Sequence, residues 1–335
     1  MRVLLAVPRY DYGKPRNGDS YEYQSWFRPL AGLGHDVELF DMFGPGWAFD
    51  PEATGRALLR TVKDWAPDLV LMLLLERDVS METIDKVRRS CPVANWFADD
   101  TWRYWGFSRH VAGHFSWVVT TSHKAKQGYD RMGDVRAFFS PWGYDPEVYH
   151  PVDAEPVSDV GFVGQRYGRR GQIIERLRAD GFSVSTRGSG WPEGRIESSA
   201  LAEQFGSARI NLSFMQSSAG PFQRLGIRVR GSWRADRLLT RVVSPPLQMK
   251  ARPFELAGCG VFQLTQVVPE LLDFFEPERE IGTFDSEQSL RRAIRYYLAH
   301  DDERCAIARA GLERAAAYSW PRVLARVLDW AAEYR

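Results

Sequence analysis

The sequence predicts an α/β protein that contains two parallel sheets covered by helices. Short apolar runs alternate with segments of helical periodicity from one end of the 335-residue chain to the other. The chain is also long for a single hydrophobic core, since domains of roughly 150 residues are typical. We therefore expect two domains built on one plan.

The first half contains six apolar runs suited to strands that are buried on both faces. They lie at residues 2–8, 36–41, 68–75, 93–98, 116–122 and 135–140. Helical patterns lie between them, at 22–33, 51–66 and 80–89. Ser80 is a suitable helix N-cap and Gly34 a suitable stop signal.

The second half repeats the alternation after a segment rich in proline, glycine and aromatic residues at 140–152, which we predict to be an ordered linker. The expected strands lie at 159–164, 182–188, 208–214 and 261–265, and a helical tail runs from Ser286 to the C-terminus. We predict a first domain at 1–145, a second at 146–317 and a terminal helix at 318–335.

Composition limits the class of protein. With 44% hydrophobic and 26% charged residues, the chain is globular, and its net charge of +1 gives no electrostatic reason to expect a nucleic-acid or anionic membrane partner. The three cysteines lack metal-ligand spacing, so we expect reduced thiols and no metal site. No apolar run approaches the roughly 20 residues of a membrane span, and no secretory signal is apparent. We expect a cytoplasmic protein.

The run KARPFELAGCGVFQLT, at 250–265, has the features of a phosphate and ribose site. Lys250 and Arg252 precede Pro253, the predicted first helical residue, where a cation opposes the helix dipole at a cost of roughly 0.3–1 kcal/mol. A bound diphosphate would balance these charges, and Glu255 would accept the ribose hydroxyls. On this interpretation, removing Arg252 stabilises the unliganded protein slightly. The alternative is that the cations pair with surface carboxylates and Glu255 is an ordinary first-turn acid.

A second turn of the same kind follows the first strand of the second half. It contains Gly164, Arg166, Arg169 and Arg170, and the last two stand at a predicted helix start. An anion bound there would again relieve the conflict with the helix dipole, and exposed charges on a polar turn are the alternative. The turn lacks the glycine spacing of a dinucleotide or P-loop motif, which disfavours NAD and ATP.

Carboxyl ends of parallel strands gather binding groups, and the first half offers acidic and aromatic ones there. Asp11 and Tyr21 follow the first predicted strand, and Asp99, Asp100 and Trp102 follow the fourth. Asp99 or Asp100 can orient or deprotonate an acceptor hydroxyl. The alternative for Asp100 is a helix N-cap.

The segment 96–107 is dense in aromatic residues. Such rings stack on a sugar or a planar group, and they also form hydrophobic patches and oligomer contacts. The sequence leaves these alternatives open.

The second half resembles the CgeB-like, family-1-type glycosyltransferases of the GT-B fold. The motifs that carry the resemblance occur in order: DVGFVGQR, GSGW (188–191), ARINLSF and LQMKARPFELAGCGVFQLTQ (247–266), followed by 271–284, 291–315 and 318–324. The resemblance implies two Rossmann-like domains that face each other across a crevice, with C-terminal helices that cross back to the first domain.

The resemblance also implies a reaction. A glycosyltransferase would move a sugar from a UDP, GDP or dTDP sugar, bound by the second domain, to a hydroxyl-bearing acceptor bound by the first, without a cofactor or an essential metal. By the same resemblance, Glu255 holds the donor ribose, and Arg166, Lys250 and Arg252 meet the diphosphate. Many relatives carry a second acid shortly before this glutamate, and here VVSPPLQ has none. The arginine-rich segment 215–243 is also unusually long, so the donor-sugar contacts and the stereochemical outcome stay open.

Two alternative functions remain at this stage. One is another GT-B enzyme, such as a nucleotide-sugar epimerase, and the other is a noncatalytic carbohydrate-binding protein. The sequence names neither the sugar, the nucleobase nor the acceptor, and it leaves the oligomeric state open.

Overall fold

The computed structural model describes residues 1–74, 78–217 and 246–333. They divide into two units, unit 1 with Met1–Ser140 and Trp320–Arg335, and unit 2 with Pro141–Ser319. The last residue of the predicted strand at 68–75 and residues 218–243 of the arginine-rich segment lie outside the described residues. Within the described ranges, no helix combines the length and the apolar character that crossing a membrane requires.

Unit 1 is built on a six-stranded sheet in which all neighbouring strands are parallel. Its strands are β1 Arg2–Val7, β2 Asp36–Asp41, β3 Leu69–Met72, β4 Val93–Phe97, β5 Trp117–Thr120 and β6 Ala137–Phe139. They lie in the order β2-β1-β3-β4-β5-β6. The residues of β3 and β4 are all buried, as the continuous apolar runs predict for a sheet covered on both faces.

Helices connect these strands. They are α1 Tyr21–Gly32, α2 Pro51–Trp65, α3 Met81–Arg88, the short α4 Asp100–Arg103, the short α5 Arg109–Val111, and α6 His123–Met132. The predicted N-cap is confirmed, because the Ser80 hydroxyl accepts a hydrogen bond from the Thr83 amide at the start of α3. Gly34 has a φ of +82° just after α1, a conformation that suits glycine and ends the helix.

Unit 2 repeats the plan with five parallel strands, in the order β11-β10-β9-β7-β8. They are β7 Ser158–Val163, β8 Val184–Arg187, β9 Ala208–Ser213, β10 Gln263–Gln266 and β11 Gly282–Phe284. The helices are α7 Arg170–Ala179, α8 Leu201–Gly206, α9 Arg252–Gly258, α10 Glu287–Ala299 and α11 Asp301–Ala315. The sequence did not predict β11 and α8, because such short elements show no clear periodicity.

When the strands of each sheet are numbered in chain order, unit 2 has the doubly wound order 2-1-3-4-5, and unit 1 has the same order with a sixth strand added at the end. In such sheets the connections leave in opposite directions from the first and third strands, so a crevice opens at their carboxyl ends. The crevice lies between β1 and β3 in unit 1 and between β7 and β9 in unit 2.

The last helix, α12 Trp320–Ala332, packs against α1 in unit 1. The indole of Trp320 meets those of Trp26 and Trp96 edge to face, at ring-centre distances of 5.9 and 5.6 Å, and all three side chains are fully buried. Edge-to-face contacts of this kind add roughly 0.5–1.5 kcal/mol beyond area burial. The predicted helical tail from Ser286 is therefore three helices, α10 to α12, and the last belongs to unit 1.

Candidate active site

Arg170, the first residue of α7, turns inward instead of facing solvent and is only 5% exposed. Its guanidinium donates to the carbonyls of Gln165, at 3.1 Å, and Phe214, at 3.2 Å. It also donates to the hydroxyl of Tyr167, at 2.6 Å. Arg170 thus ties the turn after β7 to the end of β9, across the crevice position of the unit 2 sheet.

The Tyr167 hydroxyl is the centre of a small polar network. It accepts a second hydrogen bond from Nζ of Lys250, at 2.8 Å, and donates its proton to the carbonyl of Gln216, at 2.6 Å. The Arg170 guanidinium also lies 3.8 Å from the centre of the Tyr167 ring. One phenol oxygen therefore holds two cations together, although these repel each other.

The positive charge at Arg170 is incompletely balanced. Within the described residues, no carboxylate lies within ion-pair distance of its guanidinium, and its Nε has no hydrogen-bond partner. Burial lowers the pKa of Arg170, and the nearby charge of Arg252 lowers that pKa further. Three cations, Arg170, Lys250 and Arg252, therefore surround the carboxyl ends of β7 and β9 and favour an anionic ligand.

Arg252 opens α9 and forms an ion pair with Glu255, with 2.7 Å between Nη1 and Oε2. The Glu255 side chain is only 4% exposed. Its burial raises its pKa, although the charge of Arg252 and a hydrogen bond from Tyr149 act to lower that pKa. Pro253 is the second residue of α9 rather than the predicted first.

This ion pair changes the expectation for Arg252. We expected Arg252 to be unfavourable at the start of the helix when no anion is bound, because its charge opposes the helix dipole. Removing Arg252 would then stabilise the unliganded protein. The compensating anion is instead Glu255 on the same helix, and removing Arg252 would leave a buried carboxylate without its cation. The predicted sign is therefore reversed.

Gly164, at the end of β7, is held by the motif GSGW. The indole Nε1 of Trp191 donates to the Gly164 carbonyl at 2.8 Å. Gly188 has a φ of +126°, and a Cβ there would stand 2.3 Å from the same carbonyl oxygen. The turns after β7 and β8 therefore pack backbone against backbone, which requires glycine at 188.

Arg166 and Arg169 remain near the surface. Arg166 lies 3.9 Å from Glu175 and 5.2 Å from the Trp191 ring centre, and Arg169 lies 3.9 Å from Glu287. Both arginines are exposed, and such pairs are worth little. Exposed charges on a polar turn, the alternative raised by the sequence, describe these two residues but not Arg170.

In unit 1, Asp100 lies at the carboxyl end of β4 and is 1% exposed. Tyr129 donates its hydroxyl proton to Asp100 Oδ2 at 3.0 Å, and Ser108 and Thr120 also donate to this carboxylate. Burial raises the pKa of Asp100 to about 7, against the effect of these hydrogen bonds. The alternative N-cap role is wrong, because Asp100 is the first residue of α4 and Asp99 occupies the cap position.

Asp99 has a different environment from its neighbour. It is partly exposed and lines a cavity of about 20 Å³ together with Leu74 and Arg103, at the carboxyl ends of β3 and β4. An acceptor hydroxyl can reach such a position far more easily than the closed surroundings of Asp100. Of the two predicted catalytic carboxylates, the geometry favours Asp99.

Glu22, in the first turn of α1, was not predicted from the sequence. Part of the residue reaches the surface, but its carboxyl group is enclosed, and this burial together with the charges of Asp11 and Asp99 raises its pKa to about 7. The structure thus brings together carboxylates that follow β1 and β4. The sequence signal was the polar, acidic turn after the first strand, in which Asp11 and Tyr21 were predicted to contact the acceptor.

The predicted aromatic contacts separate into buried and accessible rings. Trp96, Phe97 and Tyr104 belong to the interior of unit 1. Trp102 is partly exposed, and Trp105 is 72% exposed. Tyr21 is partly exposed and lies edge-on to Trp320, at 6.3 Å between ring centres.

Two tyrosines also escaped the sequence analysis. Tyr167 joins Arg170 to Lys250, and Tyr149 donates a hydrogen bond to Glu255. Tyr167 stands within the arginine-rich turn, and that position is the one signal that pointed to it. In the ranges that the structure describes, no group of three or more His, Cys, Asp or Glu side chains is arranged to hold a metal ion.

Comparison with known proteins relates the second half of the chain to a known family. Residues 169–329 match a family model described as glycosyl transferase-like. The matched residues cover most of unit 2 and most of α12, which belongs to unit 1. The prediction of a glycosyltransferase is confirmed at the level of this family, whereas the CgeB-like subtype stays a prediction. No curated protein matches the sequence significantly.

Solved structures resemble the whole chain. Sucrose-phosphate synthase from Thermosynechococcus elongatus has a TM-score of 0.70 at 12% identity and covers 100% of this chain and 99% of its own. HepE from Anabaena, solved with UDP, has a TM-score of 0.61 at 11% identity, and the match covers 99% of this chain and 100% of HepE. AviGT4, a glycosyltransferase of avilamycin A biosynthesis, has a TM-score of 0.60 at 14% identity, and the match covers 99% of this chain and 97% of AviGT4. The predicted GT-B fold class is confirmed.

Proposed function

We propose that the protein transfers a sugar from a nucleoside diphosphate sugar, bound by unit 2, to a hydroxyl group of an acceptor. The observation that carries this proposal is the group of three cations, Arg170, Lys250 and Arg252, beside the single carboxylate of Glu255. We propose UDP as the nucleotide, because the structural relative HepE was solved with UDP and with UDP-glucose.

The cations have a clear role in this reaction. When the bond between the sugar and the diphosphate breaks, negative charge grows on the departing diphosphate, and cations already in position stabilise it without reorganisation. Lys250 and Arg252 are partly exposed and would contact the phosphates. Buried Arg170 would act through Tyr167 by keeping Lys250 in place. We propose that this arrangement replaces an essential metal.

Glu255 is the proposed ligand of the donor ribose. Its carboxylate has a fixed orientation, because Arg252 pairs with Oε2 and Tyr149 donates a hydrogen bond to the same group. A carboxylate held in this way accepts hydrogen bonds from hydroxyl groups with little loss of conformational freedom. Gly164 and Arg166, in the turn after β7, are proposed to complete the donor site.

The acceptor hydroxyl must lose its proton as its oxygen bonds to the sugar. We propose that Asp99 or Glu22 accepts this proton, since both are partly exposed residues at the carboxyl end of the unit 1 sheet, and the raised pKa of Glu22 suits a general base. Asp11, Tyr21 and Trp102 are proposed contacts for the acceptor. A cytoplasmic location stays a proposal drawn from the composition.

Binding of nucleotides tests the donor site. Calorimetry and thermal melting with UDP, GDP and dTDP should show binding, with NAD and ATP as negative controls. A ligand at 100 times its Kd adds about 2.7 kcal/mol to the free energy of unfolding. Lys250→Gln should weaken binding about tenfold or more, whereas Lys63→Gln, at an exposed position of α2, should leave it unchanged.

Turnover then separates the possible reactions. Release of nucleoside diphosphate from a nucleotide sugar only in the presence of an acceptor identifies a transferase. Release without any acceptor identifies an epimerase-type reaction. Absence of binding by every nucleoside diphosphate at millimolar concentration would contradict the proposal.

A further inference from the structure

A cavity of about 360 Å³ lies in unit 1 between the connections that follow β1 and β2. Its lining includes neither Asp99 nor Glu22. Its walls include Tyr10, Pro15, Asp41, Phe43, Trp47 and Asp50. This volume lies in the range of roughly 300–1,000 Å³ that is usual for small-molecule sites.

The indole of Trp47 forms a rigid wall of this cavity. Its Nε1 donates to the carbonyl of Asp41 at 2.9 Å, and its ring stacks on Phe40 at 5.6 Å with an angle of 7° between the planes. A Cβ on Gly44 would stand 2.4 Å from the Trp47 ring, so glycine there allows the ring its position. The wall is therefore formed before any ligand binds.

Phe49 extends the aromatic surface into solvent. Its ring stacks on Phe43, with 4.9 Å between ring centres, and is 77% exposed. Its φ of +64° places a bulky side chain in the left-handed region, which is unfavourable for a residue with a Cβ. Burial of the ring does not compensate for this strain, and such strain concentrates at functional positions.

Asp41 supplies the polar group of the cavity. Its Oδ1 accepts hydrogen bonds from the amides of Arg9 and Phe43, both at 3.0 Å, which fixes the plane of the carboxylate. Its Oδ2 has no partner among the described residues. The lining contains carboxylates but no lysine, arginine or histidine. It therefore disfavours a phosphate and favours a ligand that donates hydrogen bonds.

We propose that this cavity binds a sugar ring of a carbohydrate acceptor. A sugar has an apolar face of C–H groups that packs against aromatic rings, and hydroxyl groups on its edge that donate to a carboxylate. Trp47 and Phe43 provide rings in the lining, Phe49 extends this aromatic surface beyond it, and Asp41 provides the fixed acceptor atom. This inference rests on the proposed transferase function and gives the chemical class of its acceptor.

The test measures sugar binding directly by saturation-transfer NMR and calorimetry on the whole protein. The probes are the methyl glycosides of glucose, galactose and mannose at millimolar concentration, with tetramethylammonium as a cationic comparison. At least one glycoside should bind. Asp41→Asn keeps the Oδ1 acceptor but replaces Oδ2, and it should weaken binding about tenfold or more.

Phe49→Gly removes the exposed ring and suits the left-handed backbone, so loss of binding there cannot be ascribed to backbone strain. It should reduce sugar binding to a similar extent while the melting temperature is preserved. Trp105→Ala is the matched control, because Trp105 is also an exposed aromatic residue of unit 1 but packs against Tyr104, whereas Phe49 packs against the lining residue Phe43. It should bind sugar as the wild type does.

The outcomes separate this inference from the proposed function. UDP binding without binding of any glycoside overturns the inference and leaves the transferase proposal intact. Sugar binding that depends on Asp41 and Phe49, without nucleotide binding, supports the cavity and overturns the transferase. Binding of tetramethylammonium alone, or sugar binding unaffected by both variants, also overturns the inference.

Discussion

Replacing Asp100 by asparagine should change how the stability of the protein depends on pH. The Asp100 carboxylate is buried, and its pKa rises from 3.8 to about 7 on folding. Each pKa unit corresponds to about 1.36 kcal/mol. The shift therefore means that the protein is about 4 kcal/mol less stable with Asp100 ionised than with Asp100 protonated. Asparagine keeps the shape and the oxygen that accepts from Tyr129, without the charge.

The sign follows from proton binding. Because the folded state keeps the Asp100 proton to a higher pH than the unfolded state, the contribution of Asp100 to the free energy of unfolding of the wild type falls between about pH 4 and about pH 7. The variant lacks this loss. The difference between variant and wild type should therefore shift by about 4 kcal/mol in favour of the variant across this range. Other titrating groups are common to both proteins and cancel.

Urea unfolding of both proteins at several pH values measures this difference. A second variant sharpens the test, because Tyr129→Phe removes a hydrogen bond to the ionised carboxylate, raises the pKa of Asp100 further and should extend the decline to higher pH. Turnover of Asp100→Asn should stay near that of the wild type, whereas Asp99→Asn should lose roughly 100- to 10,000-fold if Asp99 is the base. A stability difference that is the same at every pH would refute the reasoning about Asp100.

Three further predictions concern the proposed sites. Arg252→Ala should lower the free energy of unfolding by roughly 3 kcal/mol, because Glu255 is left buried without its cation while Arg252 itself is 25% exposed; an unchanged urea midpoint would contradict the pairing. Glu22→Gln should remove the fall in turnover as the pH drops below about 7, where the wild-type carboxylate takes up its proton; an acidic limb that survives would assign that limb to another group. Gly188→Ala should lower the melting temperature, at a cost of roughly 1–3 kcal/mol for the φ of +126° and more for the contact with Gly164, and a wild-type melting curve would show that the turn can relax.

The sheets of both units were predictable because strand and helix patterns are local. The apolar run at 93–98 contains β4, and the helical pattern at 80–89 contains α3 with Ser80 as its cap. The three-residue strand β11 was not predictable, because a segment so short has no measurable period. The π-helical turn between α4 and α5 was not predictable for the same reason.

The donor-site cations could be found in part. Their positions beside helix starts are local features, and this marked Arg170, Lys250 and Arg252. The sequence did not show that Arg170 turns into the interior, or that Lys250 meets a tyrosine 83 residues away. These contacts depend on which strand ends the sheet order brings together.

Asp99 and Asp100 show the division most clearly. As neighbours in the chain they were equivalent candidates, and the sequence by itself determined only that two carboxylates follow β4. The tertiary structure enclosed Asp100 beneath Tyr129, Ser108 and Thr120 and left Asp99 accessible. The cost of removing a charge from water depends on residues from distant elements, so only the folded chain decided which carboxylate can meet a substrate.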